Sequence, residues 1–359
     1  MSVVYKKLED VCEILDSRRV PITAKDRKAG AYPYYGANGL QDYVADYIFD
    51  DELVLLAEDG GNFGSKERPI AYRVSGKCWV NNHAHVLKAK PNMHVDYLCY
   101  ALMFYDTEGL VNGATRQKLT QAAMRQMVIP YRDMTEQLQI IEKISQIVRT
   151  IEKRKEELQL LDQLVKSRFI ELFGDPLIEE DRYPRVPLGS LAEVGSSKRI
   201  FEKEYVSEGI PFYRTKEIVE LSKGNRITTE LFITKERYDQ IRSEYGAPQK
   251  GDLLISAVGT IGVIWIVDGK NDFYFKDGNL LRVSATEKFV PEYLKHLLEA
   301  LISAYKSEMS SGTAYAALTI SALKEMMVYD VPHAEQEQFA AFVEQTDKSK
   351  LCGKMEVAA

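Results

Sequence analysis

One short stretch of the sequence carries side chains that could bind a metal ion. Cys78, His83 and His85 lie within eight residues of one another, and thiolate and imidazole groups are ligands that zinc prefers. No fourth ligand follows at the spacing of a zinc finger. The stretch is therefore better interpreted as the polar face of a strand, and we predict no metal site.

Common signatures of catalysis are absent from the sequence. It contains no G-x-x-x-x-G-K-[ST] phosphate loop, no G-x-S-x-G nucleophile elbow, and no Pro-Pro pair as required by the Asn/Asp-Pro-Pro-aromatic motif of amino methyltransferases. Residues 60–64 and 259–262 are rich in glycine, but tight turns after strands explain them better than a dinucleotide site. We therefore predict that the chain is not an enzyme and binds no cofactor itself.

The remaining chemistry is that of recognition, and it falls at matching places in two halves of the chain. Asn, Gln, Arg and Lys pair with base edges, while Lys, Arg and Tyr also bind phosphates. Each cluster alone is compatible with an ordinary polar loop. The argument for recognition is that equivalent places are polar in both halves yet carry different residues. The candidate contacts are Tyr32, Tyr34, Tyr35, Asn38, Asn81, Asn82, His83, Arg116, Gln117 and Lys118 in the first half, and Tyr213, Arg214, Thr215, Lys216, Lys276, Asn279, Thr313 and Tyr315 in the second.

An internal repeat underlies this correspondence. Three blocks recur in the same order: an extended opening that leads to an aromatic patch (32–39 and 210–217), a strand-like core (50–64 and 250–262), and a helix that continues to an apolar segment (95–105 and 118–130 in the first copy, 291–301 and 317–332 in the second). Both copies end at the start of a helix, where we align Glu136-Gln137 with Glu337-Gln338. Three matches in one order predict a duplicated unit of roughly 180–200 residues.

Between the copies, residues 135–173 predict one long helix. The segment has no Gly or Pro and is rich in good helix formers. Thr135 is a plausible N-cap, and Gly174 is a strong stop signal. At 1.5 Å per residue such a helix would span about 58 Å, which suits a spacer better than a helix buried inside one large domain. A seam for packing against a partner helix recurs every seven residues, at Ile144, Ile151, Leu158, Val165 and Leu172.

A second helix is expected over residues 333–359, lying antiparallel to the first. Phe339, Phe342 and Val343 begin an apolar seam, but Gln345 and Lys348 occupy the following turns. The sequence ends before this helix matches the length of the first, so we expect a shortened, apparently truncated, helical region.

Composition limits the class of protein further. The chain has 359 residues, 45% hydrophobic and 28% charged, which is typical of a folded globular protein. No apolar run approaches the ~18 residues of a membrane span, and four cysteines without a C-x-x-C pair favour a reducing cytoplasm. The net charge of −6 argues weakly against nucleic-acid binding, but it does not describe any local surface.

The whole layout resembles the specificity subunit of type I restriction–modification systems. The most specific part is the segment 134–176 with its Phe-Gly-Asp-Pro ending, and the opening LEDVCEI followed by YPYYGANG is also typical. The resemblance implies an α+β fold with two mixed α/β target-recognition domains, separated by a long coiled-coil helix and followed by a second, shorter antiparallel helix. The implied domains are 1–133 and 175–332, and the implied helical regions are 134–174 and 333–359.

The resemblance also implies a function. Each target-recognition domain would read one half of a bipartite site in double-stranded DNA, and the helices would bind two methyltransferase (modification) subunits, which restriction subunits join. S-adenosylmethionine, ATP and Mg would then lie on the partner subunits, and only the assembled complex would be a DNA adenine methyltransferase and ATP-dependent endonuclease. The alternatives are a stand-alone restriction or methyltransferase enzyme and a coiled-coil scaffold that binds protein.

Overall fold

A computed structural model describes residues 3–113, 116–178, 182–284, 288–309 and 317–358, with side chains except at 309 and 352–358. The chain divides into two compact units, residues 1–152 and 153–359. Both combine helices with sheets, so the α+β class is confirmed. In the described part of the chain, no helix has both the length and the apolar character that a membrane crossing needs.

Unit 1 is built around a mixed sheet with one long helix at its end. Its elements are β1 (Val4–Lys7), α1 (Leu8–Val11), β2 (Cys12–Ile14), β3 (Ala29–Gly36), β4 (Gly39–Val44), β5 (Phe49–Ala57), β6 (Ala71–Val80), β7 (Ala84–Ala89), α2 (Val95–Met103), β8 (Val111–Asn112), β9 (Lys118–Leu119), α3 (Gln121–Gln126), β10 (Val128–Tyr131) and the first part of α4 (Met134–Phe173).

The strands of the main sheet of unit 1 lie in the order β2-β7-β5-β6-β3-β4. β6 and β7 both pair antiparallel with β5, Cys78 of β6 opposite Phe49 and Ala84 of β7 opposite Ala57. Only residues 81–83 connect β6 to β7, so the sheet must curl strongly to bring these strand ends together. The two faces of β5 enter different cores, Val54 packing in the cluster that contains α2 and Leu53 in a second cluster.

Unit 2 repeats most of these elements. They are β11 (Arg185–Pro187), β12 (Val194–Gly195), β13 (Ile210–Tyr213), α5 (Thr215–Ser222), β14 (Phe232–Ile233), α6 (Lys235–Tyr245), β15 (Leu253–Ser256), β16 (Ile264–Ile266), β17 (Tyr274–Phe275), β18 (Leu280–Val283), α7 (Pro291–Met309), α8 (Ile320–Glu325), β19 (Met327–Tyr329) and α9 (His333–Ala358), together with the second part of α4.

The topology confirms the predicted duplication. The order β12-β18-β15-β16 in unit 2 reproduces β2-β7-β5-β6 in unit 1. β3 runs parallel to the end of β6, as β13 runs parallel to β17. In each unit the first strand pairs antiparallel with the last, β1 with β10 and β11 with β19. The sequence therefore contains two copies of one scaffold, one before and one after the middle of α4.

A buried glutamine at the start of each long helix fixes the register of the repeat. Gln137 Oε1 accepts a hydrogen bond from His94 N at 2.7 Å, and its Nε2 donates to two backbone carbonyls. Gln336 makes the same three contacts, accepting from Val290 N at 2.8 Å. Gln137 is thus equivalent to Gln336, and our alignment with Gln338 was wrong by two residues. The error arose because Glu-Gln occurs twice in succession at 335–338, and only burial distinguishes the two copies.

The predicted long helix is confirmed as α4, an unbroken helix of 40 residues. Its start differs from our expectation, since Glu136 N donates to Asp133 Oδ1 at 2.9 Å. Asp133, not Thr135, therefore caps the helix. Gly174 ends it as predicted, with the positive φ of 88° that glycine adopts without strain.

In unit 2, α9 packs antiparallel on the second part of α4. The Phe339 ring lies edge-on to the Phe169 ring, with centroids 5.3 Å apart. Eleven residues further along α9, Lys350 Nζ lies 2.8 Å from Asp162 Oδ1. Later residues of α9 thus contact earlier residues of α4, as two antiparallel helices require. Of the predicted seam, Val165 is buried and Leu172 packs against the same core, while Ile144, Ile151 and Leu158 are half-buried.

Candidate functional site

Several predicted recognition residues of unit 1 meet on one surface, which we call the polar face. It consists of Asn38 and residues 58–60, 81–83 and 116–118. Backbone bonds tie these segments together: Gly60 N donates to Gln117 O at 3.0 Å, and Glu58 N donates to His83 O at 2.9 Å. Asn38 joins them through Nδ2, which donates to Gly60 O at 3.0 Å. Residues that are distant in the sequence therefore form one continuous surface.

The outer part of the polar face is organised by a carboxylate that sequence reasoning missed. Asp59 Oδ1 lies 2.5 Å from Arg116 Nε, and Asp59 Oδ2 lies 3.3 Å from His83 Nδ1. The Arg116 side chain is 59% exposed and the Asp59 side chain 21%. Asp59 thus holds the Arg116 guanidinium at Nε, while the end of this side chain faces solvent. Asn82 is exposed beside this pair, and Asn81 is buried, accepting a bond from His83 N at 2.8 Å.

Beneath the polar face lies a buried network of charged side chains. His85 Nδ1 is 2.6 Å from Asp16 Oδ2, and His85 Nε2 is 2.9 Å from Leu119 O. Arg19 Nη1 lies 2.6 Å from Glu58 Oε2, and Lys118 Nζ lies 3.2 Å from Glu58 Oε1. Both nitrogens of the His85 ring therefore have an oxygen partner within the fold.

The environment of Asp16 favours its charged form. Burial raises the pKa of the Asp16 carboxyl, but hydrogen bonds from His85, Val86 N and Gln121 outweigh burial and hold this pKa below its ordinary value. The charged carboxylate in turn anchors the start of β7 through Val86 N at 2.9 Å. The network therefore braces the strands that carry the polar face.

Asp16, Glu58 and His85 also form the one group of metal-type ligands found among the described residues, with ligand atoms within 4.8 Å of one another. Both carboxylates, however, already have cationic partners: the Arg19 guanidinium lies 2.6 Å from Glu58 and 3.5 Å from Asp16, and Lys118 Nζ lies 3.2 Å from Glu58. His85 is also committed to Leu119 O through Nε2. The arrangement is explained as an ion-pair network without a metal.

The predicted tyrosines of unit 1 lie apart from the polar-face side chains. Tyr34 is 1% exposed, and its hydroxyl donates to Ile22 O at 3.3 Å, so it contributes to the core. Tyr35 packs against Tyr72, and its backbone oxygen accepts from Asn81 N at 3.0 Å. Tyr32 is half-buried and stacks at a tilt on Tyr47, with centroids 5.0 Å apart.

In unit 2 the same scaffold presents different side chains. Lys276 N donates to Tyr213 O at 2.9 Å, as Asn81 N does to Tyr35 O, so Lys276 is equivalent to Asn81. Ala257 N donates to Asn279 O at 2.8 Å, as Glu58 N does to His83 O. Asn279 therefore takes the place of His83. The strand pairing further places Ala257 at the position of Glu58 and Leu281 at that of His85, so the buried charged network is not repeated.

Other predicted residues of unit 2 are partly engaged within the fold. Tyr213 is 7% exposed and stacks on Phe273 at 4.6 Å. Arg214 Nη2 pairs with the buried Glu217 at 3.1 Å. Lys216 is exposed and lies 3.9 Å from Glu230 Oε2. Thr215 Oγ1 is buried and, among the described residues, has no hydrogen-bond partner. Thr313 and Tyr315 lie outside the described residues.

Sequence reasoning missed Asp16, Arg19, Glu58 and Asp59 because their partners are far away in the chain. Arg199 was also missed: its Nε lies 2.7 Å from Asp277 Oδ2, and its side chain is 68% exposed. A usable signal existed for Glu58-Asp59, since two acidic residues directly after a buried apolar strand need cationic partners.

Comparisons with known proteins give a consistent result. The family model of the type I restriction modification DNA specificity domain matches residues 2–162 and 181–353. A putative type I restriction enzyme specificity subunit from Haemophilus influenzae is 31% identical over 348 residues, covering 95% of this chain and 87% of the relative.

Two solved structures share the fold. The S subunit of a type I restriction–modification system from M. genitalium superposes with a TM-score of 0.56 at 15% identity, over 100% of this chain and 92% of that chain. A chain from work on complex assembly and conformational transition of the type I restriction–modification system gives 0.57 at 16% identity, over 100% and 94%.

Proposed function

Because the chain belongs to the family of type I restriction–modification specificity subunits, we propose that it recognises a bipartite site in double-stranded DNA, one half-site through each unit. The observation that carries this proposal is the duplicated scaffold with unlike side chains at equivalent positions. Asn81 and His83 in unit 1 correspond to Lys276 and Asn279 in unit 2. A rigid sheet that holds different polar side chains at the same places suits two readers of different sequences.

In unit 1 we assign DNA contact to the polar face. Arg116, Gln117, Lys118, Asn38 and Asn82 are exposed there and offer hydrogen-bond donors for base edges and phosphates. In unit 2 we assign contact to the exposed Lys216, Asn279 and Arg199 and the partly exposed Lys276. The net charge of −6 does not oppose this assignment, because partner subunits would add phosphate contacts.

We further propose that α4 and α9 bind two methyltransferase subunits, which restriction subunits then join. α4 leaves large apolar side chains uncovered, with Ile147 59%, Leu160 55% and Leu164 48% exposed. Exposed apolar side chains on a helix suit a partner surface that removes them from water. S-adenosylmethionine, ATP and Mg would then lie on these partners, and this chain would contribute no catalytic group. Since the substrate is intracellular DNA, we place the protein in the cytoplasm.

The test is an exchange of residues 1–133 for the corresponding segment of another specificity subunit, with the modification subunits present. We expect the methylated sequence, read by methylome sequencing, to change in one half-site while the other half-site and the modified base stay the same. A change in both half-sites would contradict the division of labour between the units. Methyl transfer by the purified chain alone would favour an enzyme, and partner binding without any preferred duplex would favour a protein scaffold.

A further inference from the structure

We propose that Asp59 is a specificity-determining positioning residue that presents Arg116 to a guanine in the half-site read by unit 1. The inference rests on the proposed function and adds to it the base, the residue that reads it and the residue that holds the reader. It follows from the geometry of the carboxylate, the guanidinium and the backbone beneath them.

The carboxylate holds the inner edge of the guanidinium. Asp59 Oδ1 lies 2.5 Å from Arg116 Nε, on the edge of the guanidinium that Nε shares with Nη2, so the opposite edge, between Nη1 and Nη2, faces away from this contact. Nη2 lies 3.5 Å from His83 Nδ1, a distance too long for a strong hydrogen bond. Among the described residues no side chain pairs with Nη1. The end of a guanidinium that is fixed in this way can donate two parallel hydrogen bonds.

Asp59 is itself held in place by the backbone. Its N–H donates to His83 O at 3.3 Å, and Asp59 and Lys118 form an isolated antiparallel bridge. Asp59 and His83, the two residues that flank the Arg116 guanidinium, therefore belong to one hydrogen-bonded surface. Fixing a long side chain before binding reduces the conformational entropy that it loses when it contacts its target.

Gly60 makes room for this arrangement. Its φ is +67°, a value that L side chains rarely adopt, and a Cβ at this position would lie 3.1 Å from Arg116 Nε. Gly60 N donates to Gln117 O at 3.0 Å, which ties the residue next to Arg116 to the same turn. The guanidinium can therefore lie directly against the backbone, where a larger residue would displace it.

The nearby carboxylate favours a base over a phosphate as the target of Arg116. A phosphate that approached Arg116 would be repelled by the negative charge of Asp59, which already balances the guanidinium. The edge of a guanine carries two neutral acceptors, O6 and N7, and arginine binds them in a bidentate manner. Gln117 is exposed next to this pair and remains available for phosphate.

The experiment selects DNA from a library in which the unit 1 half-site is randomised, using the full chain with its modification subunits. Asp59→Asn keeps the shape of the side chain but removes its charge, and Arg116→Lys keeps the charge but removes the bidentate geometry. Asp51→Asn is the matched control, because Asp51 lies on β5 in the same unit and pairs with Lys88 at 2.5 Å.

We expect the wild-type complex to select guanine at one position of that half-site. Arg116→Lys and Asp59→Asn should both reduce the preference at this same position by at least about fivefold, while Asp51→Asn and the second half-site stay unchanged. The proposal is overturned if Asp59→Asn retains the preference, or if Arg116→Lys weakens binding to all sequences equally and lowers its salt dependence, as loss of a phosphate contact would. If the wild-type complex selects no bipartite site, the proposed function fails first. Should Asp59→Asn not fold, the exposed Arg116→Lys still decides between base and phosphate.

Discussion

Asp16 and His85 form a buried ion pair in unit 1, with Asp16 Oδ2 2.6 Å from His85 Nδ1 and the two side chains 4% and 0% exposed. The pair supports the polar face from below, since Asp16 also accepts from Val86 N and Gln121 Nε2. Unit 2 has Leu281 at the position of His85. One copy of the scaffold is therefore stabilised by charge where the other is stabilised by apolar packing.

The first prediction concerns Asp16→Asn, which removes the carboxylate closest to His85 Nδ1 and leaves Glu58 Oε2, at 3.6 Å, as the nearest one. We expect the free energy of unfolding at neutral pH to fall by about 3–5 kcal/mol, the cost of breaking a buried pair on one side. Chemical denaturation measures it. His333→Leu is a control: its ion pair with Glu337 is 49% and 65% exposed, so a change within about 0.5 kcal/mol is expected.

The pH dependence of this effect follows from the pKa of Asp16. Burial raises that pKa, but the hydrogen bonds to the carboxylate lower it by more than burial raises it. The pKa of Asp16 in the folded protein therefore lies below its pKa in the unfolded chain. The stabilisation is therefore complete above the unfolded pKa, near pH 4, and is lost as the pH falls through the folded value. The difference between wild type and Asp16→Asn should narrow below about pH 4. A difference that stays constant down to pH 2 would contradict the ion pair.

The second prediction tests the corrected register of the repeat. Gln336→Ala removes a fully buried amide and leaves Val290 N and two carbonyls without their partner. We expect a loss of at least about 2 kcal/mol in the free energy of unfolding of unit 2, since unsatisfied buried polar groups cost about 1–3 kcal/mol each. Gln338→Ala, an exposed residue of the same type two positions away, should change the free energy by less than about 0.5 kcal/mol. Equal losses for the two variants would refute the equivalence of Gln137 and Gln336.

The third prediction concerns α4 as a spacer, as the proposed function requires. Inserting one heptad after Glu152 lengthens the helix by about 10 Å, since each residue rises 1.5 Å. We expect the two half-sites to keep their sequences while the spacer between them grows by about three base pairs, at 3.4 Å per base pair. Methylome sequencing of a host that expresses the variant reads both quantities. Replacing seven residues of α4 at constant length is the control and should leave the spacer unchanged.

Much of the architecture was predictable because it depends on patterns that are local in the chain. The Gly- and Pro-free segment of α4 and its stop at Gly174 follow from helix propensity alone. The duplication was visible because both copies need the same alternation of apolar strand and amphipathic helix to bury a core. Asn38, Arg116 and Lys118 were predicted as recognition residues from their type and their place in the repeat, and the structure brings these three onto one surface.

What the tertiary structure alone decided is which residues meet. Asp59 and Arg116 are 57 positions apart, and the bridge between Asp59 and Lys118, with the backbone hydrogen bonds on either side of it, brings them together. Tyr34 and Asn38 stand four positions apart in one polar-looking segment, yet one is in the core and the other is exposed. The sequence specified the scaffold, because helix and strand formation depends on near neighbours. The surface chemistry depends on contacts between distant segments and on burial, which exist only after the chain has folded.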